Sequence, residues 1–340
     1  MKDIRNKYLT SGGVIIGSSR GGISTIENAL IKSRNSACPA SWSEAGVVGT
    51  RAIKRRTQNL RLSPYLMPST TISMASSYVA QHLVIKGYCL GISNACASGA
   101  NAIGEAYRLL RSGYRGPVLA GGSEAPICRL CIEGYGVSGA LSKISDLSAS
   151  RPFDNNRDGF VLSEGACVIV LEDLNSAVKR GANIYSEIVG YGNTTDAFHQ
   201  TRPDSEGEAR AMESAISEAG ITTSEIDYIN AHGTSTPLGD MVESEAIKKI
   251  FGNMSSTIAV SAVKSMTGHM LAASGSLETA FTVMSIKESI IPPTINLIEK
   301  DSACDINVVT EKTGKKINVA ISNSFGFGGV NAVLALKRFS

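Results

Sequence analysis

The chain has 340 residues, 43% of them hydrophobic and 19% charged, enough apolar material for one large core or two smaller ones and too much for a disordered segment. Lys and Arg number 33 against 30 Asp and Glu, a net charge of +3, which excludes a nucleic-acid footprint spread over the whole surface and leaves any electrostatic partner to a local patch. The opening Met-Lys-Asp-Ile-Arg-Asn-Lys precedes no long apolar run, and no later stretch approaches the length that spans a bilayer, so the sequence reads as an unexported, cytoplasmic protein.

Along the chain, short β-branched runs alternate with longer stretches of helical period, the pattern of a sheet covered by helices on both faces and hence an α/β fold. The spacing predicts strands at Gly13 to Gly17, Tyr88 to Ala95, Pro117 to Gly121 and Cys167 to Leu171. Further strands follow at Ile184 to Gly190, Asp227 to Asn230, Ile258 to Ala262, Ile317 to Ser322 and Ala332 to Leu336. Cys89 to Gly113 and Ile258 to Ser289 share one form: strand, small polar turn, then a helix opening with Ala-Ser-Gly. Each is followed by two apolar runs around Gly-rich turns, which suggests an internal duplication with halves 1–175 and 176–340 joined in the charged stretch Glu172 to Ala182. Ser33 to Arg61 stands apart as a surface excursion. It holds the only Trp and the basic residues Arg51, Lys54, Arg55, Arg56 and Arg61, which read either as a solvated helix face or as a docking patch for an acidic partner.

The seven cysteines are an odd number, spread thinly through a chain too long to need disulfide staples, so free thiols are expected. Cys96 lies in Asn94-Ala-Cys-Ala-Ser-Gly-Ala100, where a strand ends and a helix over Ala100 to Arg111 begins. The positive end of a helix dipole lowers a thiol pKa and favours the nucleophilic thiolate, whereas the bland reading is a small buried hydrophobe. Cys128-Arg-Leu-Cys131 has redox or zinc spacing but no second pair or histidine cluster beside it, and reads as structural. Cys89 and Cys167 fall in predicted strands and read as core.

Of the four histidines, His82 falls in an apolar helical pattern and reads as packed. His232 and His269 each follow a predicted strand among Gly, Ser and Thr, in Asn230-Ala-His-Gly-Thr-Ser-Thr-Pro-Leu-Gly-Asp240 and Lys264-Ser-Met-Thr-Gly-His269. Functional residues of open α/β sheets gather at strand carboxyl ends, so both can converge on Cys96. The run Asn323-Ser-Phe-Gly-Phe-Gly-Gly-Val-Asn331 has glycines but precedes a strand instead of a helix. It therefore reads as a tight turn donating amides to an oxyanion, not as a dinucleotide loop. Gly121-Gly-Ser-Glu-Ala125 is a loose echo of a nucleophile elbow without its final glycine.

These motifs together resemble the β-ketoacyl-acyl-carrier-protein synthases of the thiolase superfamily, of the elongating Cys-His-His type. The matching pieces are Ala95-Cys-Ala-Ser-Gly99, Ser150-Arg-Pro-Phe-Asp154 with Arg157-Asp-Gly-Phe160, Asn230 to Asp240, Lys264 to His269 and Asn323 to Gly329. They occur in the family's order. The resemblance implies a thiolase-like, duplicated, five-layered αβαβα fold and a decarboxylative Claisen condensation of malonyl-ACP with an acyl group on Cys96. It implies that His232 and His269 hydrogen-bond the malonyl thioester carbonyl and stabilise the enolate. The amides of Cys96 and Phe325 would form the oxyanion hole, with Phe325 as the gate between nucleophile and malonyl pocket. Lys264 would hold the charge network and orient His269, with Glu243 its buried partner and Asp240 and Asn323 in support. Thr234 and Thr236 match residues that bind the phosphopantetheine arm.

The resemblance also implies no metal or nucleotide cofactor, since substrates ride on the phosphopantetheine of an acyl carrier protein, and a homodimer or a heterodimer with a ketosynthase-like subunit. Asn94, Ser163 and Val330 replace residues more usual in the family. Members ordinarily carry a strand, a glycine turn and helices before the position of Gly13, so the N-terminal half is expected to be incomplete, with an exposed sheet edge. Two rivals remain at this point: a non-catalytic or truncated ketosynthase-like partner subunit, and a coenzyme A-dependent thiolase. The thiolase branch relies on a second cysteine near the C-terminal end, where this chain has Asn323-Ser-Phe-Gly326.

Overall fold

The computed structural model describes residues 7–35 and 62–340. The stretch 36–61, with Trp42 and the basic cluster from Arg51 to Arg61, lies outside the described residues. Strands β1 (Gly13–Gly17), β2 (Cys89–Ile92), β3 (Val118–Glu124) and β4 (Gly165–Leu171) form a sheet ordered β2-β1-β3-β4. In it β1 pairs parallel with β2 and β3, and β4 runs antiparallel to β3. The second sheet contains β5 (Glu187–Thr195), β6 (Tyr228–Asn230) and β7 (Ala259–Ser261). After a small hairpin, β8 (Ile290–Ile291) with β9 (Thr313–Gly314), it is completed by β10 (Val319–Gly326) and β11 (Val330–Lys337), in the order β5-β11-β10-β6-β7.

The two sheets repeat one plan. Strands β2, β1, β3 and β4 correspond to β7, β6, β10 and β11, with the same parallel pairs and the same antiparallel last strand. Only β5, antiparallel to β11, has no counterpart among the described residues of the first half. The consequence is visible on β4, where Val168 is 42% and Val170 63% exposed, whereas β11 is buried from Asn331 to Leu336. A groove of ≈ 830 Å³ lined by Ile169, Leu171, Leu110 and Val283 runs beside that edge. The duplication is thus present, and among the described residues the first sheet has one strand fewer than the second.

Helices Ser98–Arg111 and Ser274–Glu288 pack between the sheets, touching strands of both. Small residues permit this: Ala100, Ala102 and Ala106 are buried on the first helix, and a Cβ on Gly99 would lie 2.4 Å from the Ala272 carbonyl oxygen. Helix Met74–Leu83 covers β1 and β2, while helices Ser205–Ala219 and Pro237–Phe251 cover the outer face of the second sheet. Among the described residues no helix is long and apolar enough to cross a membrane.

Several sequence expectations shift at the sheet edges. Strand β2 ends at Ile92, three residues short of the predicted Ala95, because the chain turns there into a 3-10 turn, Ala95–Ala97. As β2 is an edge strand, Cys89 is exposed and not core, and Cys167 on β4 is only half-buried for the same reason. His82 is exposed at the end of its helix. Asn323 to Gly326 continue β10, so the tight turn is confined to Phe327–Gly329.

Candidate active site

Two loops of identical design meet at the centre of the molecule. In the first, Ala95 takes a left-handed backbone (φ +45°) and the Ser98 hydroxyl accepts the Asn94 N–H at 2.8 Å; in the second, Leu271 is left-handed (φ +47°) and Ser274 accepts the Met270 N–H at 2.9 Å. A non-glycine residue in this conformation costs roughly 1–3 kcal/mol, a strain that the buried surroundings maintain. The first loop presents Cys96, the second follows His269. His269 Nε2 stands 3.1 Å from Cys96 Sγ, and the His232 and His269 rings stand edge to face at 5.6 Å.

The environment of Cys96 corrects one expectation. Burial outweighs the helix end: the thiol is pushed up to about 11, with the charges of Lys264 and Arg20 and the N–H of Phe327 pulling it back. Resting Cys96 is therefore a thiol beside a neutral imidazole, whose ring nitrogen can accept the proton. Both histidines are held well below the usual range, first by burial and then by the positive charge of Lys264, so both are neutral.

Lys264 is the second correction. Its ammonium donates to the carbonyl oxygen of His232, approaches His232 Nδ1 at 3.1 Å and pairs with the buried Glu278. No hydrogen bond joins it to His269 or to the buried Glu243, both of which feel its charge. Instead Glu243 accepts the N–H groups of His232 and Gly233, both at 2.8 Å, and the Asn323 amide at 3.1 Å, clamping the histidine loop to β10. An ammonium only donates, so His232 Nδ1 must accept and Nε2 must carry the proton. His269 differs. Its Nδ1 lies 3.0 Å from the Ser274 hydroxyl, which can donate or accept, so this ring can adopt either tautomer.

Helix Pro237–Phe251 is capped by Thr236, whose hydroxyl accepts the Gly239 N–H and lies 2.9 Å from that of Thr234. The loop ahead of it is tied down by Asp240, which accepts the N–H groups of Phe153 and Ser235 and pairs with Arg157 at 3.4 Å. Burial, ahead of these opposing contacts, raises the Asp240 carboxyl to about 7. Arg157 is thus structural support: it also binds Asp301 and the carbonyls of Thr236 and Pro237. A cavity of ≈ 400 Å³ joins Thr234 and Thr236 to Cys96, His232, His269, Phe325 and Phe327.

The third correction concerns the aromatic pair. Phe325 is buried with its ring 5.8 Å from that of His232, whereas the N–H that reaches the Cys96 sulfur belongs to Phe327, on the turn after β10 and 38% exposed. Sequence reasoning also missed Glu278. The available signal was a lone acid in the first turns of a helix of small and apolar residues.

Residues 11–177 match the family model described as Beta-ketoacyl synthase, N-terminal domain, and residues 185–298 match Beta-ketoacyl synthase, C-terminal domain. The 3-oxoacyl-[acyl-carrier-protein] synthase 2 of Staphylococcus aureus (strain COL) is 45% identical over 308 residues, covering 88% of this chain and 74% of that protein. Its namesake from Synechocystis sp. is 48% identical over 284 residues, covering 82% and 68%. Among solved structures, the AntDE:AntF complex, a type II PKS acyl-carrier protein with its ketosynthase bound to the hexaketide, matches with TM-score 0.90 at 31% identity, over 100% of this chain and 80% of that one. The ishigamide ketosynthase/chain length factor matches with TM-score 0.85 at 32% identity, over 97% and 76%. The chain belongs to the β-ketoacyl synthase family, as a ketoacyl-ACP synthase of fatty acid or polyketide synthesis.

Proposed function

We propose that Cys96, His232 and His269 carry out the condensation, with acyl and malonyl groups delivered on the phosphopantetheine of an acyl carrier protein. The observation that carries this reading is the 3.1 Å contact between Cys96 Sγ and His269 Nε2 inside a cavity that His232 also lines. In the first step His269 Nε2 takes the thiol proton, the sulfur attacks the acyl thioester carbonyl, and the proton leaves with the carrier thiol. In the second, the bond between the malonyl carboxylate and Cα breaks, carbon dioxide leaves, and the electron pair moves into an enolate. His232 Nε2–H and His269 Nε2–H donate to its oxygen.

The enolate carbon then attacks the acyl carbonyl. That oxygen gains charge and accepts the N–H groups of Cys96 and Phe327, collapse of the tetrahedral adduct returns the electrons to Cys96 Sγ, and the thiolate takes a proton from solvent by way of His269 to restore the resting thiol. Phe327, on the exposed turn, is the gate in this reading. Thr234 and Thr236 hold the pantetheine arm through their paired hydroxyls; Glu243, Asn323 and Asp240 keep the His232 loop in place. The protein works as a dimer, with a second copy or a ketosynthase-like subunit; the resemblance to a ketosynthase/chain length factor pair supports the second form. Incubation with acyl carrier protein bearing a radiolabelled acyl group tests the reading: the label should be recovered on the peptide containing Cys96, and its absence there would refute the assignment.

A further inference from the structure

Tyr135, on helix Arg129–Val137, lines the same cavity as Cys96 and is 9% exposed. Its hydroxyl accepts two hydrogen bonds from Arg20, from Nε at 3.1 Å and Nη2 at 2.6 Å, and the guanidinium carbon stands 5.3 Å from the ring centroid. Arg20 is placed by the turn after β1, where the Glu124 carboxylate accepts the N–H groups of Ser19 and Arg20 and the hydroxyls of Ser18 and Ser19. A phenol has two acceptor sites and one hydrogen to donate. Arg20 uses the acceptor sites, and no described residue accepts the hydrogen. No described carboxylate pairs with the Arg20 guanidinium either.

The rings around the site stand in a row: Tyr135 is 5.4 Å from Phe160, Phe160 is 5.1 Å from His269, and His269 is followed by His232. Tyr135 is thus at the far end from His232. It belongs, with Phe160, Leu271, Cys128 and Cys131, to the buried cluster that encloses Cys96. An acyl chain on the sulfur, with the malonyl group against His232, has this cluster to enter. A plain alkyl chain offers the part-buried hydroxyl hydrogen no acceptor, whereas an oxygen on the chain would pair with it, a donor that the adjacent guanidinium strengthens.

Resting on the function proposed above, we propose that Tyr135, polarised by Arg20, hydrogen-bonds an oxygen of the acyl chain on Cys96 and selects oxo-acyl groups over alkyl ones. The test measures acylation of Cys96 by intact-protein mass spectrometry with hexanoyl, 3-oxohexanoyl and 5-oxohexanoyl pantetheine thioesters. At least one oxo thioester should react about tenfold or more faster than hexanoyl, the advantage of a site built to hydrogen-bond its substrate. That ratio should fall to near unity in Tyr135→Phe and in Arg20→Met; the latter alters an exposed side chain and reads the ratio even if the former fails to fold. Equal or faster reaction of hexanoyl in the unaltered protein, or an unchanged ratio in both variants, overturns the proposal. Failure of all three thioesters to label Cys96 would instead refute the assignment of Cys96 as acyl carrier.

Discussion

Lys264 Nζ stands 3.1 Å from His232 Nδ1, and in the proposed mechanism this contact would divide the labour of the two histidines. A ring facing an ammonium has one tautomer and can only donate from Nε2, whereas His269, facing the Ser274 hydroxyl, can pass from base to donor within one cycle. The acylation step needs the base; the decarboxylation step needs donors.

Replacing Lys264 by Met separates the pieces. Glu278 is left as an unpaired buried carboxylate, a loss of about 3–5 kcal/mol of stability, to be read from urea unfolding. His232 is freed to take the wrong tautomer, and malonyl decarboxylation should fall at least about 100-fold, the scale of one lost donor to a developing oxyanion. A variant of full stability and full decarboxylation would contradict the tautomer assignment.

Ser274→Ala addresses the other histidine. Without the two-way hydroxyl His269 is a poorer base, and single-turnover acylation of Cys96 should slow by about 100-fold, the lower end of general-base contributions. Decarboxylation, which His232 still supports, should slow less. Equal losses in both steps would show that Ser274 merely shapes the loop.

Alkylation by iodoacetamide reads the thiol. Because burial raises Cys96 to about 11, the thiolate fraction grows as protons leave with rising pH, and the rate should climb through pH 9 and 10 without a plateau, provided the fold persists. A plateau near neutrality would mean that the helix end, not burial, governs the sulfur.

The candidate reacting groups are legible in the sequence, because Cys96 and His232 sit on turns just past strand ends and His269 just past the short helix Lys264–Thr267 that follows β7, all among small residues. Their supports were not. Glu278 comes from a helix opposite β6, and nothing local in Ser-Gly-Ser-Leu-Glu says that it meets Lys264. Phe325 and Phe327 are two residues apart in one motif, and only the extent of β10 decides which amide faces the sulfur. The direction of the Cys96 shift is hidden for a similar reason: a helix end is visible in sequence, while burial depends on the second half closing over it. The duplication shows in two Ala-Ser-Gly helix starts, at Ala97 and Ala273.

Those two starts supply a stability test. A Cβ on Gly99 would lie 2.4 Å from the backbone oxygen of Ala272, which cannot rotate away. Gly99→Ala should destabilise the fold by about 1–3 kcal/mol, the usual cost of overpacking, measured by thermal or chemical denaturation. An unchanged midpoint would show that the halves are less tightly joined than the packing of these helices indicates.

The most direct test is the Cys96→Ala variant, assayed for both chain extension and carbon dioxide release from malonyl carrier protein. Chain extension should vanish, since no sulfur remains to hold the acyl group, while decarboxylation by His232 and His269 should persist. Extension retained by Cys96→Ala would contradict the central claim.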